Sequence, residues 1–198
     1  MKPCVEIFGF SKFLVSTFKK SEITYIMKSS IKVMVRVRPC LEGEDERLAV
    51  RVRDRQRLTI TSNRNNTFEC NFEDYVLTPS DDQKETFSRV KECVDSALGG
   101  FNATIFAYGQ TGSGKTYTLF GKEGVDMEES SSRHSYLRGI APRSIERVFE
   151  KLPKGTQVQA SFLQVYNEHL YDLLLDPRMS RKLNVRSVRI SLSSFTYS

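Results

Sequence analysis

The run FAYGQTGSGKTYTLFG, residues 106–121, constrains this chain more than any other stretch. Gly109, Gly112 and Gly114 fall between an apolar segment and a helix-forming one. Glycine is the costliest residue to order, so a cluster of it at a strand-to-helix junction needs a reason. Gly109-Gln110-Thr111-Gly112-Ser113-Gly114-Lys115-Thr116 satisfies G-x-x-x-x-G-K-[ST] at every fixed position. The preceding NATIFAYG (102–109) is a short continuous apolar run, the pattern of a strand covered on both faces. Side-chain-free backbone lets successive N–H groups curl around phosphate oxygens, and the following helix turns its positive end toward the same charge. Lys115 is then spaced to reach the β- and γ-phosphates as a point charge, and the Thr116 hydroxyl to ligate magnesium. The plain alternative is a Gly-rich turn. From average glycine usage a chance match in a chain of this size is roughly one in a hundred, and the strand–loop–helix context lowers that further. Residues 109–116 are therefore read as a nucleotide phosphate site.

The rest of the chain must be able to support such a site. Its 198 residues suffice for one domain with a real core. Charge interrupts every apolar run well before the length of about 20 residues that a membrane span requires. Lys12 breaks the apolar stretch near the N-terminus, and no small-residue cleavage site follows it, which argues against a signal peptide. The four cysteines are scattered (Cys4, Cys40, Cys70, Cys93) and only two histidines occur, His134 and His169. That pattern argues against a disulfide framework and a zinc site, and it suits a reducing compartment. A net charge of +6 admits an acidic partner without naming one.

Strand and helix signals alternate along the chain. IKVMVRVRP (31–39) reads as a β-branched strand ended by Pro39, and LAVRVRDRQRLTIT (48–61) as one half-buried strand with arginines on its solvated side. NTFECNFEDYVL (66–77) reads as a strand running into a loop. In the next segment Ser80 and Gln83 have capping-box spacing, apolar residues keep helical period, and Gly99-Gly100 end the helix. GIAPRSIERVFEKLP (139–153) is a helix with Pro142 in its first turn and Pro153 past its end. VQASFLQVYN (158–167) reads as a strand and EHLYDLLLD (168–176) as a short helix. The alternation implies an α/β sheet with helical layers.

Four blocks, IKVMVRVRP, GFNATIFAYGQTGSGKTYTLFG, RGIAPRSIERVF and SFLQVYNEHLYDLL, occur in this order with natural spacing. Together they resemble the first half of a kinesin motor domain, from about Ser29 to about Arg186. The resemblance implies a P-loop NTPase-type three-layer α/β fold, with a mixed central sheet and helices on both faces. It implies ATP or ADP with Mg2+ as ligand, the microtubule (tubulin) as partner, and a cytoplasmic, cytoskeletal setting, with neither nucleic acid nor a membrane span involved. It also implies an adenine pocket at Arg36, Arg38, Pro39 and Tyr117. The chemistry suits such a pocket, since a flat base packs between a ring face, a proline and a guanidinium plane.

Two further family blocks, a serine-rich switch and a strand ending in D-L-A-G-S-E, are not found in these residues. SSSRHS (130–135) imitates the first, but Ser131, Ser132 and Arg133 precede the RGIAPRS segment and are read as a solvated loop insertion. Glu168 and Asp172 are read as cap and surface residues, and Asp176 as structural. Near the family's microtubule-contacting elements there remains basic surface, including Arg178, Arg181 and Lys182, with a solvated run as the equal alternative. No catalytic residue is assigned. The expected organisation is an unstructured extension over 1–28, a partial motor domain over 29–186 and a divergent tail over 187–198. On this reading the fold is incomplete, and its phosphate-loop strand would have exposed apolar edges. The functional expectation is a kinesin-type microtubule motor ATPase retaining the phosphate loop and adenine pocket without the switches. A stand-alone ATP- or ADP-binding fragment, or a product without motor activity, is the alternative.

Overall fold

A computed structural model describes residues 31–41, 50–62, 66–122, 135–176 and 183, together with the backbone of strands Val5–Phe13 and Phe195–Tyr197. The chain divides into two compact units, Met1–Lys151 and Leu152–Ser198, with the boundary inside the segment read as one partial motor domain.

The first unit is built on a four-stranded mixed sheet. β1 (Val5–Phe13) runs antiparallel to β2 (Lys32–Val37), and it is rich in the β-branched and aromatic residues that favour strands. The sequence reading leaves this stretch as an unstructured extension, whereas its backbone pairs along its length. Three further strands, β3 (Val50–Val52), β4 (Arg57–Thr61) and β5 (Thr67–Asn71), form a separate antiparallel sheet in the order β3-β4-β5. β6 (Tyr75–Leu77) pairs in parallel with β2, and β7 (Asn102–Tyr108) pairs antiparallel with β1. The order is β6-β2-β1-β7, so the strand feeding the glycine loop stands at one edge among the described residues.

Strand alternation divides the core in two. On one side Met34 and Leu77 pack with Val90, Cys93 and Ile140, residues of α1 (Gln83–Leu98) and α3 (Ile140–Lys151). On the other Val35, Val37 and Val76 pack with Val50 and Leu58 of the three-stranded sheet. Val35, Val76, Leu77 and Val90 are wholly buried, each stabilising the fold by about 1.5–3 kcal/mol. The second face is thus covered by a sheet where the sequence reading expects helices, among the described residues. The cover does not reach β7, whose burial alternates and whose Phe106 and Tyr108 are exposed. Its apolar run therefore packs on one face, not on both.

Two strand readings change for local reasons. The segment read as one strand over 48–61 is a hairpin, because Asp54 Oδ1 accepts from the Gln56 amide at 2.8 Å and Arg53 N donates to Arg57 O at 2.9 Å. An aspartate turning its own backbone breaks the strand. The 66–77 stretch likewise splits into β5 and β6. At the start of α1 the cap is Asp82, whose Oδ1 accepts from the Glu85 amide at 2.7 Å, in place of the Ser80–Gln83 pair. Gly100, at φ +89°, stops the helix as expected. The end of α1 is tied to α3 by a two-pronged ion pair, Arg147 Nε to Asp95 Oδ1 at 2.6 Å and Nη2 to Oδ2 at 2.7 Å. Hydrogen bonding from Arg147 holds the Asp95 carboxyl below its ordinary pKa.

The second unit contains β8 (Val158–Ala160) paired antiparallel with β11 (Phe195–Tyr197), and a hairpin of β9 (Leu163–Tyr166) and β10 (His169–Asp172). The expected helix over 168–176 is therefore a strand and a turn. Asn167 and Glu168 both adopt left-handed backbone, at φ 50° and 63°, which is the geometry of a two-residue hairpin turn. Glu168 is a turn residue and caps no helix. Asp172, read as a surface residue, is 3% exposed and accepts from the Leu174 amide at 3.0 Å. Ser131, Ser132, Arg133, Arg178, Arg181 and Lys182 lie outside the described residues.

Candidate functional site

β7 ends at Tyr108, and the chain passes through the glycine loop into α2 (Lys115–Phe120). Two glycines hold backbone that other residues rarely adopt, Gly112 at φ +81° and Gly114 at φ +112°. The turn is closed by Ser113 N donating to Gln110 O at 3.1 Å, and α2 begins with Thr118 N donating to Gly114 O at 2.8 Å. The Lys115 ammonium folds back over the loop, donating to Gly109 O at 2.9 Å and Gln110 O at 2.8 Å. A flexible cation resting on neutral carbonyls is free to move to an anion that offers more. Ser113 is fully buried, and its Oγ has no hydrogen-bond partner. A buried orphan hydroxyl costs about 1–3 kcal/mol, and a ligand oxygen would remove that cost. Thr116 is exposed on the first turn of α2.

The strand-end residues converge on the same loop. Arg36, Arg38 and Pro39, from β2 and the residues after it, line a narrow cleft of about 30 Å³ together with Ser113, Gly114 and Tyr117. Thr78, Pro79 and Asp81 line it too, and no motif points to them. The four residues grouped from the resemblance therefore do meet, but in different positions. Arg38 Nε donates to Gly112 O at 3.0 Å, and its Nη1 to Pro39 O at 2.9 Å, so it ties the strand end to the phosphate loop. Arg36 is 7% exposed and donates inward, to Gln83 Oε1 at 3.1 Å and Thr118 Oγ1 at 2.9 Å. Its guanidinium sits 5.3 Å from the centroid of the Tyr117 ring, which remains 41% exposed. Tyr117 and Pro39 are exposed, and the cleft is too narrow to enclose a flat two-ring group.

Asp81, two residues before α1, is the acidic residue of the cleft lining. Burial pushes its carboxyl pKa up, but the Arg55 hydrogen bond and those from the Thr78 amide and hydroxyl outweigh this and hold it low. A carboxylate already engaged by a cation and two donors is a structural group and a poor general base.

On the far side of α2 the chain leaves at Gly121 and returns at Gly139, where the two backbones touch. Gly121 bridges Arg138, and a Cβ at Gly139 would lie 2.6 Å from Gly121 N and from the Leu119 carbonyl. Glycine is required at this crossing because no side chain fits. The contact holds α2, and with it the loop, against the start of α3. Sequence reasoning missed it, since neither glycine belongs to the phosphate motif.

A family model described as the kinesin motor domain matches residues 36–192. The chain is similar to kinesin-like protein KIN-12B of Arabidopsis thaliana, with 38% identity over 165 residues, covering 78% of this chain and 12% of that protein. It is similar to kinesin-like protein KIF15 of Rattus norvegicus, with 40% identity over 161 residues, covering 73% of this chain and 11% of that one. Among solved structures, the motor domain of the Kar3-like kinesin from Ashbya gossypii superposes with a TM-score of 0.56 at 24% identity, over 82% of this chain and 53% of that one. The chain thus spans roughly an eighth of the length of these curated relatives and about half of the solved motor domain.

Proposed function

From the premise that this chain belongs to the kinesin motor-domain family, we propose that it is the nucleotide-binding part of a microtubule motor ATPase. Its ligand is ATP or ADP with magnesium. The observation that carries this is the loop itself: a complete G-x-x-x-x-G-K-T at a strand–helix junction, with an orphaned buried Ser113 hydroxyl and a lysine resting on loop carbonyls.

The residues divide the work by their chemistry. Loop amides of Gly112, Gly114, Lys115 and Thr116 donate to phosphate oxygens, and Lys115 leaves the Gly109 and Gln110 carbonyls to neutralise the β/γ end. Arg38 keeps the loop in place through Gly112 O, which lies 3.0 Å away. Thr116 is the magnesium ligand. Its hydroxyl would hold the ion together with the nucleotide that the ion accompanies. When bound, magnesium would supply charge neutralisation to the nucleotide's phosphates. The base rests on Tyr117 and Pro39. Engagement of a microtubule is proposed from family membership alone.

The test is titration with a fluorescent ATP analogue, followed by phosphate release with and without microtubules. Lys115→Ala should abolish nucleotide binding, and unchanged affinity in that variant would reduce the loop to a turn. The 198 residues should show no microtubule-stimulated release above the Lys115→Ala blank, because a cradle alone lacks a water-positioning group. Such groups are worth on the order of a thousandfold or more in rate. Stimulated turnover would mean that switch residues exist under another sequence pattern.

A further inference from the structure

A residue outside every nucleotide motif sits at the centre of the cleft's support. Gln83, the first residue of α1, is 1% exposed. Its carboxamide joins two elements, since Oε1 accepts from Arg36 Nη1 at 3.1 Å while Nε2 donates to the Tyr117 carbonyl at 2.7 Å. Only one orientation of the amide satisfies both, because a guanidinium only donates and a carbonyl only accepts. Thr118, 1% exposed, accepts from the same Arg36 nitrogen at 2.9 Å. The result is an exposed aromatic ring on a buried polar frame, with Arg36 over the ring and Gln83 holding both Arg36 and the ring's own backbone.

A stacking surface gains affinity when its orientation is set before the ligand arrives, because the ordering cost is then already met in folding. Buried, fully paired polar networks impose that kind of uniqueness. We propose that Gln83 is a positioning residue for the base. Acting through Arg36 and the Tyr117 carbonyl, it fixes the attitude of the Tyr117 ring and so sets affinity for the purine without touching the nucleotide. This rests on the reading of Tyr117 as the base platform. It also makes the start of α1, 34 residues before Tyr117 in sequence, part of nucleotide recognition.

Gln83→Met keeps length and volume and removes both hydrogen bonds. The expected result is ATP affinity weakened about fourfold, within the loss from removing the Tyr117 ring itself, with inorganic tripolyphosphate affinity unchanged, since the phosphate loop is held separately by Arg38. In a Tyr117→Ala background, Gln83→Met should change ATP affinity less than twofold. Equal loss for both ligands, no loss for either, or a full loss in the Tyr117→Ala background would overturn the proposal. Should Gln83→Met fail to fold, Gln83→Glu keeps an acceptor toward Arg36 but loses the donor toward the Tyr117 carbonyl, and is held to the same outcomes. The platform reading fails separately, and takes this proposal with it, if Tyr117→Ala leaves ATP affinity intact. A Tyr117-dependent affinity that ignores Gln83→Met refutes Gln83 alone.

Discussion

Replacing Gly139 with alanine tests whether the crossing behind the phosphate loop is as tight as the structure shows. The new Cβ would stand 2.6 Å from Gly121 N, Leu119 C and Leu119 O, all backbone atoms that cannot rotate away. Favourable carbon contacts begin nearer ~3.5 Å, so α2 and α3 must separate by several tenths of an ångström or more. Overpacking of this sort costs about 3 kcal/mol, at the upper end of its range because the obstacle is main chain. In a chain of this size each kcal/mol lowers Tm by about 2–4 °C, which gives a fall of roughly 6–12 °C. Gly100 supplies the control. It has φ +89°, but a Cβ there would meet nothing within 4 Å. Gly100→Ala therefore carries only backbone strain, about 1 kcal/mol and 2–4 °C. The assay is thermal unfolding followed by far-UV circular dichroism on the two variants and the parent. The reasoning is refuted if Gly139→Ala melts with the parent, or loses less than Gly100→Ala.

Two further outcomes follow from the cleft. Tyr117→Ala should weaken ATP by about 1 kcal/mol, the scale of one aromatic stack, and leave tripolyphosphate binding unchanged in isothermal titration; equal loss for both would make Tyr117 a packing residue only. Asp81, whose folded pKa lies below the unfolded value of ~3.9, stabilises the fold above that pH, and the contribution is lost as pH falls through the folded pKa. Asp81→Asn should therefore lower Tm near neutrality, with the two melting curves converging as pH falls through the folded pKa. A gap that stays constant between neutral and acid pH would remove the carboxylate from the stability argument.

Local chemistry makes part of this protein legible without coordinates. The glycine loop can be read because its pattern lies in consecutive residues whose types are dictated by backbone geometry. The helices over 83–98 and 140–151 are legible for a related reason, since Gly99-Gly100, Pro142 and Pro153 punctuate them from within a few positions. The break at Asp54 is also local, but an alternating arginine pattern masks it. At Asn167 and Glu168 two non-glycine residues adopt positive φ, which composition does not announce, and an apolar run after them imitates a helix.

What only the tertiary structure decides involves partners far apart in the chain. Gln83 has capping spacing in sequence, yet Asp82 takes the cap, and Gln83 turns inward to reach Arg36, 47 residues away, and Tyr117, 34 residues away. Arg36 and Arg38 are near neighbours on one strand end, and the family resemblance assigns both to the base. Folding buries the first against the Tyr117 ring and commits the second to Gly112 O, 74 residues away. Strand alternation assigns two residues to a face, but which group waits there depends on where α1, α2 and the loop have been brought. The glycine loop is written in its own consecutive positions, 109–116, whereas the polar frame behind the Tyr117 ring exists only once three distant segments share a core.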